Sequence, residues 1–536
     1  MKWLAFWAGC LLTVPALAAQ ERYDLVISGG TILDGTGAPG FRADLGVRRG
    51  RILRISSRPI PAESALRVID ANGLIVAPGF IDLHAHIEGL PRMPDAQSHV
   101  RQGVTLAIGG PDGGGPWPFA EYLARLDTLP LGMNVGYMTG HNTIRRTVLG
   151  LANRPPTAEE LDRMREMVAA AMGQGAFGIS TGLFYLPGTF SKTDEVIELS
   201  RVAADSGGFY TSHLRKEGLG LLEGVAEAIE IGRQARIPVV LTHHKAIGPA
   251  MWGKSALTLA MIDSARRAGI DVMADQYPYT ATSTGLGALV PPWASEGGDS
   301  AFQRRERDPV LRDSLVKGII YNLEHDRGGG DLRRVQFSFV AWNRALEGRT
   351  LHDWVLERGL EPTPTSGAQL VIEGMLRGGA SMVYHVLDEG DVERIMRHPM
   401  VAVGSDGSLS RPGAGVPHPR AYGTFPRVLG VYVREKKVLS LEEAVRKMTS
   451  LPAGRLGLAD RGRLAEGLIA DITIFDANTV KDLATFSQPH QYPQGIPWVI
   501  VNGLVVVDNG VLTSNRPGEV LRHSSGVPAG RRPGGR

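Results

Sequence analysis

Residues 104–110, 134–140, 177–182, 208–212, 238–242, 271–277 and 401–405 are short apolar runs, and most are followed by a helical stretch, as in 157–173, 223–234, 257–269 and 441–449. A strand-length apolar run followed by a helix, repeated along the chain, predicts parallel βα units. With the run at 79–83 the count reaches eight, which predicts an α/β fold of the (β/α)8 barrel type. Barrel chemistry gathers at the C-terminal ends of the strands. Five of these runs lead into a polar residue able to bind a metal or move a proton: Asp112, His141, His213, His243 and Asp406.

The two ends of the chain have a different rhythm. Segments 23–28, 43–47 and 52–56 are short strands between Gly-rich turns, and 471–475, 498–501 and 504–507 repeat the pattern, with Asn502-Gly503 as a hairpin turn. Neither set is large enough to bury a core alone. Together they predict one small β-sandwich built from both termini, 20–76 and 456–522, beside a barrel spanning 77–455. The strand–helix rhythm lapses over 291–350, after the seventh strand, which makes that stretch a candidate insertion at the barrel mouth. Beyond residue 522 the chain is rich in Gly, Pro and Arg (524–536) and is expected to be disordered.

Composition agrees with this picture. The chain has 536 residues, enough for a barrel plus a second domain, and its 68 glycines and 34 prolines suit many tight turns. A formal charge of +3, with basic and acidic residues interspersed, gives no footprint for nucleic acid. Residues 1–19 have the form of a secretory signal: Lys2, an apolar stretch over 3–17, and Ala16-Leu17-Ala18 before a cleavage point. That stretch is too short for a stable membrane anchor, so the expectation is an exported, periplasmic or secreted protein. Cys10 is the single cysteine and would leave with the signal, which excludes a disulfide or a thiolate ligand in the mature chain.

The richest segment is Gly79-Phe80-Ile81-Asp82-Leu83-His84-Ala85-His86. Alternate side chains of a strand share a face, so His84 and His86 lie together at its C-terminal end and can chelate one divalent ion. His213 and His243 end strands in the same register, and Asp112 can add a carboxylate oxygen. Such a site lowers the pKa of bound water towards about 7 and polarises a carbonyl, which is what amide hydrolysis at neutral pH requires. Asp406, in Val403-Gly404-Ser405-Asp406-Gly407, can then take and return the proton. Two rival motifs are weaker. Gly248-Pro249-Ala250-Met251-Trp252-Gly253-Lys254-Ser255 matches a phosphate-binding loop, with Asp275 as partner carboxylate, but leaves the histidines unexplained. Ser180 lacks the glycine that a nucleophile elbow needs two residues earlier.

These residues carry a family resemblance. Pro78 to His86, Gly178-Ile179-Ser180-Thr181-Gly182-Leu183, Thr242-His243-His244-Lys245, Asp275-Gln276-Tyr277-Pro278-Tyr279, Gly404-Ser405-Asp406-Gly407 and Pro417-His418-Pro419-Arg420-Ala421-Tyr422 resemble the amidohydrolase superfamily, in its D-aminoacylase (N-acyl-D-amino-acid deacylase) branch. The resemblance runs from about residue 23 to 522. It implies a metal-dependent hydrolase of N-acyl-D-amino acids, with dipeptides ending in a D-residue, or other N-acyl amines, as the alternative substrates. It implies a tightly held Zn2+ on His213 and His243, a weaker second site on His84 and His86, and Asp406 as acid/base. It also implies Lys245, Tyr279 and Arg420 as the groups that hold the substrate carboxylate. One departure stands out. Many relatives have a Gly-Asn-Cys-Gly segment where this chain has Gly110-Pro111-Asp112-Gly113, so Asp112 replaces a cysteine ligand. A carboxylate is harder and more tolerant of manganese and other oxygen-preferring ions.

Overall fold

The structure is a computed structural model that describes residues 22–524. The signal segment with Cys10, and the tail from 525 on, lie outside the described residues. Among those described, the strands expected from the apolar runs form a closed parallel ring. Phe80–Asp82 pairs with Val104–Gly109, which pairs with Asn134–Tyr137. The third strand resumes at Thr139–Gly140 and continues the ring through Gly178–Gly182, Phe209–His213, Val239–Leu241, Val272–Gln276 and Val401–Val403. Gly407–Ser408, just past the eighth strand, pairs in parallel with Ala85–His86, just past the first, and closes the barrel.

Ring strands such as Val104–Gly109 and Phe209–His213 are buried at every position, as strands covered on both faces must be. The covering helices begin where the sequence signals them. Thr157 caps Ala158–Gly173 in a reciprocal capping box with Glu160, and Ser440 caps Leu441–Met448.

Both termini contribute to one nine-stranded sheet. Ile75–Pro78 is its hinge: it pairs with Leu25–Ile32 from the N-terminal set and with Ile472–Phe475 from the C-terminal set. Leu25, Ile27, Leu45, Val47, Ile472, Ile474 and Ile500 from both sets share one apolar cluster, which explains why neither set could stand alone. The chain then passes directly into the first barrel strand, so the terminal sheet is anchored one residue from the chemistry-bearing segment.

Between the seventh and eighth strands lies an inserted α/β unit wider than 291–350. Its antiparallel sheet joins Thr282–Gly285, Ser381–Tyr384 and Val335–Phe339, and it carries the helices Pro309–His325 and Pro364–Leu376 over its own core of Leu289, Leu315, Ile319, Phe337 and Trp354. At the C-terminal end His523, expected to begin the disordered tail, is held instead: its backbone N–H donates to Gly175 O at 3.0 Å and Nε2 meets Ser206 O at 3.1 Å.

Candidate metal centre and active site

Asp82, His84 and His86 occupy alternate positions from the end of the first barrel strand, so their side chains point towards the barrel interior. Asp82 is fully buried and accepts the Ser405 N–H at 2.9 Å and the Ser405 hydroxyl, fixing the loop that presents Asp406. Burial pushes the Asp82 carboxyl up to about 7. Asp275, at the end of the seventh strand, accepts the His243 N–H at 2.7 Å and stands 3.9 Å from His84 Nδ1. A side chain at Gly404 would come within 2.9 Å of Asp275 Oδ1 and 3.2 Å of the His84 Cβ, so the eighth strand can close against the first only with glycine there. Asp112, His243 and Asp406 all adopt left-handed backbone conformations, with φ of 53°, 37° and 49°. Such strain in non-glycine residues persists where surrounding structure enforces it, commonly at functional sites.

Two ligand groups result, and Asp112 belongs to both: His84, His86, Asp112 and Asp406 in one, Asp112, His213 and His243 in the other. Asp112 Oδ1 lies 3.6 Å from His84 Nε2 and 3.4 Å from His243 Nε2, while Oδ2 lies 3.5 Å from His86 Nε2 and 3.8 Å from His213 Nδ1. Asp406 Oδ1 is 3.2 Å from His86 Nε2 and 3.6 Å from His84 Nε2. Both ring nitrogens of His84 and Oδ1 of Asp112 are buried without a hydrogen-bond partner among the described residues.

The local field favours a cation. Burial and Lys245 push His243 down, yet Glu217, Asp112 and Asp406 outweigh them and lift it to about 10. Burial would raise the Asp406 carboxyl, but Arg420, His243 and the first-strand histidines hold it well below the usual carboxylate range. Imidazole and carboxylate donors left unpaired in a carboxylate-rich pocket are a fitting set for a divalent metal.

The ligand histidines are held from behind by a residue that the sequence reading passed over. Glu217 is buried four residues after His213. Its carboxylate lies 3.2 Å from His213 Nε2 and 3.2 Å from His243 Nδ1, leaving His213 Nδ1 and His243 Nε2 facing Asp112. The i, i+4 separation from a strand-end histidine was its only signal, and a loop gives that spacing no geometric meaning. Lys245 is bound into the same network: Nζ reaches Glu217 Oε1 at 2.6 Å, His243 O at 2.8 Å and His243 Nδ1 at 2.7 Å. Two of its donors are engaged, by the Glu217 carboxylate and the His243 carbonyl, so it serves here as counter-charge to Glu217.

Arg420 begins the helix Arg420–Arg427 and sets Nη1 2.7 Å from Asp406 Oδ2. Nη1 makes no aligned hydrogen bond and keeps capacity for another acceptor. Arg411 is exposed, and its Nη2 donates to Arg92 O at 3.0 Å. Tyr279 does not line the cavity with these groups. Its ring is covered by Arg427, with 4.9 Å from Cζ to the ring centroid, and its hydroxyl faces Pro419 O. The tyrosine beside Arg420 is Tyr277, which has an unpartnered buried hydroxyl. Tyr185 packs on His213 with centroids 4.5 Å apart, and burial pushes its hydroxyl up, so it remains a donor.

The other strand-end histidine has no place in the cluster: His141 Nε2 meets Glu195 Oε1 at 2.8 Å, and Arg145 completes that buried network. The loop at 248–255 is likewise filled from within the protein. Asp391 accepts the Gly253 N–H at 2.7 Å and the Ser255 hydroxyl, occupying the position a phosphate would take.

All the ligand residues except the fully buried His84 line a cavity of about 460 Å³ together with Asp406, Lys245 and Arg420. A second cavity of about 820 Å³ adjoins it, with Arg146, Tyr185, Leu186, Thr284 and Gly285 on the shared wall.

Residues 67–276 and 331–507 match the Amidohydrolase family, and the gap falls on the inserted unit. The chain is 38% identical over 531 residues to the N-acyl-D-glutamate deacylase of Alcaligenes xylosoxydans xylosoxydans, covering 95% of this chain and 98% of that one. It is 36% identical over 533 residues to the D-aminoacylase of the same organism, covering 94% and 99%. The crystal structure of N-acyl-D-glutamate deacylase from Bordetella bronchiseptica, complexed with zinc and a phosphonate mimic of the tetrahedral intermediate, superposes with a TM-score of 0.80. It is 36% identical, and the match covers 94% of this chain and all of that one.

Proposed function

The chain belongs to the amidohydrolase family, and from that premise we propose that it hydrolyses the amide bond of N-acyl-D-amino acids with the help of zinc. The observation that carries this reading is the pair of ligand groups sharing Asp112 in the cavity that also holds the Asp406–Arg420 ion pair. His213, His243 and Asp112 would hold one ion, and His84 and His86 with the same aspartate would hold a second. A bound divalent ion supplies Lewis-acid polarisation of the scissile carbonyl and a lower pKa for water.

The rest of the chemistry falls to this chain's side chains. Asp406 is held ionised, so its Oδ1, on the side facing His84 and His86, can take the nucleophile's proton and deliver it to the leaving amine. Arg420 supports the opposite oxygen of Asp406 and presents Nη1 to the substrate's α-carboxylate, its guanidinium packed over the Tyr277 ring. Glu217 fixes which nitrogen of each ligand histidine faces the ion, the role that partners behind a metal's own ligands play.

The test is a hydrolysis screen over N-acetyl-D-, N-acetyl-L- and dipeptide substrates, with enzyme stripped of metal and reloaded with zinc. Turnover confined to D-substrates, lost with the metal and restored by zinc, supports the reading; zinc-independent turnover or preference for L-substrates contradicts it. Export is part of the same proposal, supported by the charged start, apolar stretch and small-residue cleavage point over 1–19. Amino-terminal sequencing of the protein from a periplasmic extract should begin at or near Ala19, and a start at Met1 would contradict it.

A further inference from the structure

We propose that Arg327 binds a second carboxylate of the substrate, so that the preferred substrates carry two anionic groups separated by an apolar linker. The proposal rests on the deacylase reading above and names the substrate class for the same site.

Arg327 follows the inserted helix Pro309–His325 and is 2% exposed, with its guanidinium 4.3 Å above the Phe184 ring. Its one ionic contact is long: Nη2 lies 3.4 Å from Glu217 Oε2. Nε and Nη1 are buried without a hydrogen-bond partner among the described residues. Glu217 does not need this arginine for neutrality, because Lys245 Nζ already sits 2.6 Å from its other oxygen. One carboxylate therefore faces two buried cations. A guanidinium with unmade donors in a water-poor pocket is costly unless something else completes it.

The other charged groups nearby do not complete it. Asp326 adds its charge to the neighbourhood of Arg327 but makes no hydrogen bond with it, accepting the Leu219 N–H instead. Asp299 is exposed on the outer rim. Arg215 is paired with Glu227, while Arg146 and Lys216 add positive charge to the same cavity.

Arg327 lines the 820 Å³ cavity, whose walls include Leu219, Val290, Phe302 and Met375. That cavity shares Tyr185 and Leu186 with the cavity of the metal centre. The contacts run from Arg420 to Asp406, across the ligand histidines, and through Glu217 to Arg327, so the metal centre lies between the two arginines in this chain of contacts. A substrate with its α-carboxylate at Arg420 and its amide at the metal would reach Arg327 with a second carboxylate. Apolar walls suit the methylenes between, and the planar guanidinium fork suits a carboxylate. That carboxylate can sit on the amino-acid side chain or at the far end of the acyl group.

The experiment uses zinc-loaded enzyme and two isosteric pairs: N-acetyl-D-glutamate against N-acetyl-D-glutamine, and N-succinyl- against N-succinamoyl-D-methionine. The wild type should favour the acidic member of at least one pair by about tenfold or more in kcat/KM, and the pair that responds identifies where the carboxylate lies. In Arg327→Gln that ratio should collapse to about one, and Arg327→Lys should restore part of it. Zinc content and unfolding temperature show whether each variant is folded, and the wild-type ratios need no variant. Equal rates within both pairs, or an undiminished ratio in folded Arg327→Gln, would overturn the proposal. Failure to hydrolyse even N-acetyl-D-methionine would instead count against the deacylase reading.

Discussion

Arg420 Nη1 lies 2.7 Å from Asp406 Oδ2, so the residue that receives the substrate carboxylate and the residue that moves the proton form one ion pair. The sequence presents them as separate devices, a carboxylate clamp and an acid/base. The geometry makes them coupled. Arg420 is the first of the charges that overcome burial and hold the Asp406 carboxyl low. Removing it should lift that pKa, so the base becomes protonated at a higher pH. Arg420→Ala should raise KM and also shift the acid limb of the kcat/KM profile upward, and Arg420→Lys should fall between. pH–rate profiles on N-acetyl-D-methionine check this, and a pure KM effect with an unmoved limb would uncouple the pair.

Asp112 faces both ligand groups, which makes it the most consequential single ligand. Asp112→Ala should lose metal from both. His213→Ala or His243→Ala should chiefly strip the group they share with it, and His84→Ala or His86→Ala chiefly the other. Asp112→Cys should retain metal beside His213 and His243 while losing tolerance of manganese, because a thiolate is the softer donor. Metal per chain after dialysis against zinc or manganese decides these points. Wild-type occupancy in Asp112→Ala would return that residue to a turn.

Glu217→Gln keeps the shape of the side chain but removes the negative charge behind both ligand histidines. Zinc affinity should fall about 10–100-fold, the range for a partner behind a metal's own ligands. Activity should recover when zinc is raised, whereas Asp406→Asn should not respond to added zinc. A zinc titration of activity separates the two.

Much of this site was legible because a barrel strand buried on both faces leaves an unbroken apolar run, with its polar terminus exposed as a signal. His84, His86, Asp112, His213, His243 and Asp406 were all found that way. The same signal misplaced His141, because the third strand breaks after Tyr137 and the histidine begins the helix His141–Leu149, facing Glu195. Tyr279 rested on the resemblance alone, and the structure turns it towards Arg427 and Pro419 O. The insertion was read too short because Thr282–Gly285 is brief and has no apolar side chain, and Ser381–Tyr384 is equally brief. Glu217 and Arg327 come from loops, where no periodicity connects residue number to place.

The network that took His141 makes its own prediction. Glu195 is buried against His141 and Arg145, and these partners outweigh the upward push of burial to hold its carboxyl below the ordinary value of 4.5. A depressed folded pKa contributes stability that is complete above the unfolded value and is lost as pH falls towards the folded one. Glu195→Gln should destabilise the protein by about 3 kcal/mol at pH 7 by leaving Arg145 unpaired. The difference from wild type should shrink as the pH drops below about 4.5. Denaturant unfolding at pH 7 and pH 4 tests it, and a pH-independent difference would show that charge is not the cause.

The most direct test of the account is kcat of zinc-loaded Asp406→Asn on the best N-acetyl-D-amino acid. Asparagine fills the same space and can still face Arg420 and His86, but it cannot accept the nucleophile's proton. The account predicts retained zinc at the His213–His243 group and a kcat lower by about 10²–10⁴-fold. A kcat equal to that of the wild type, with zinc in place, would contradict it.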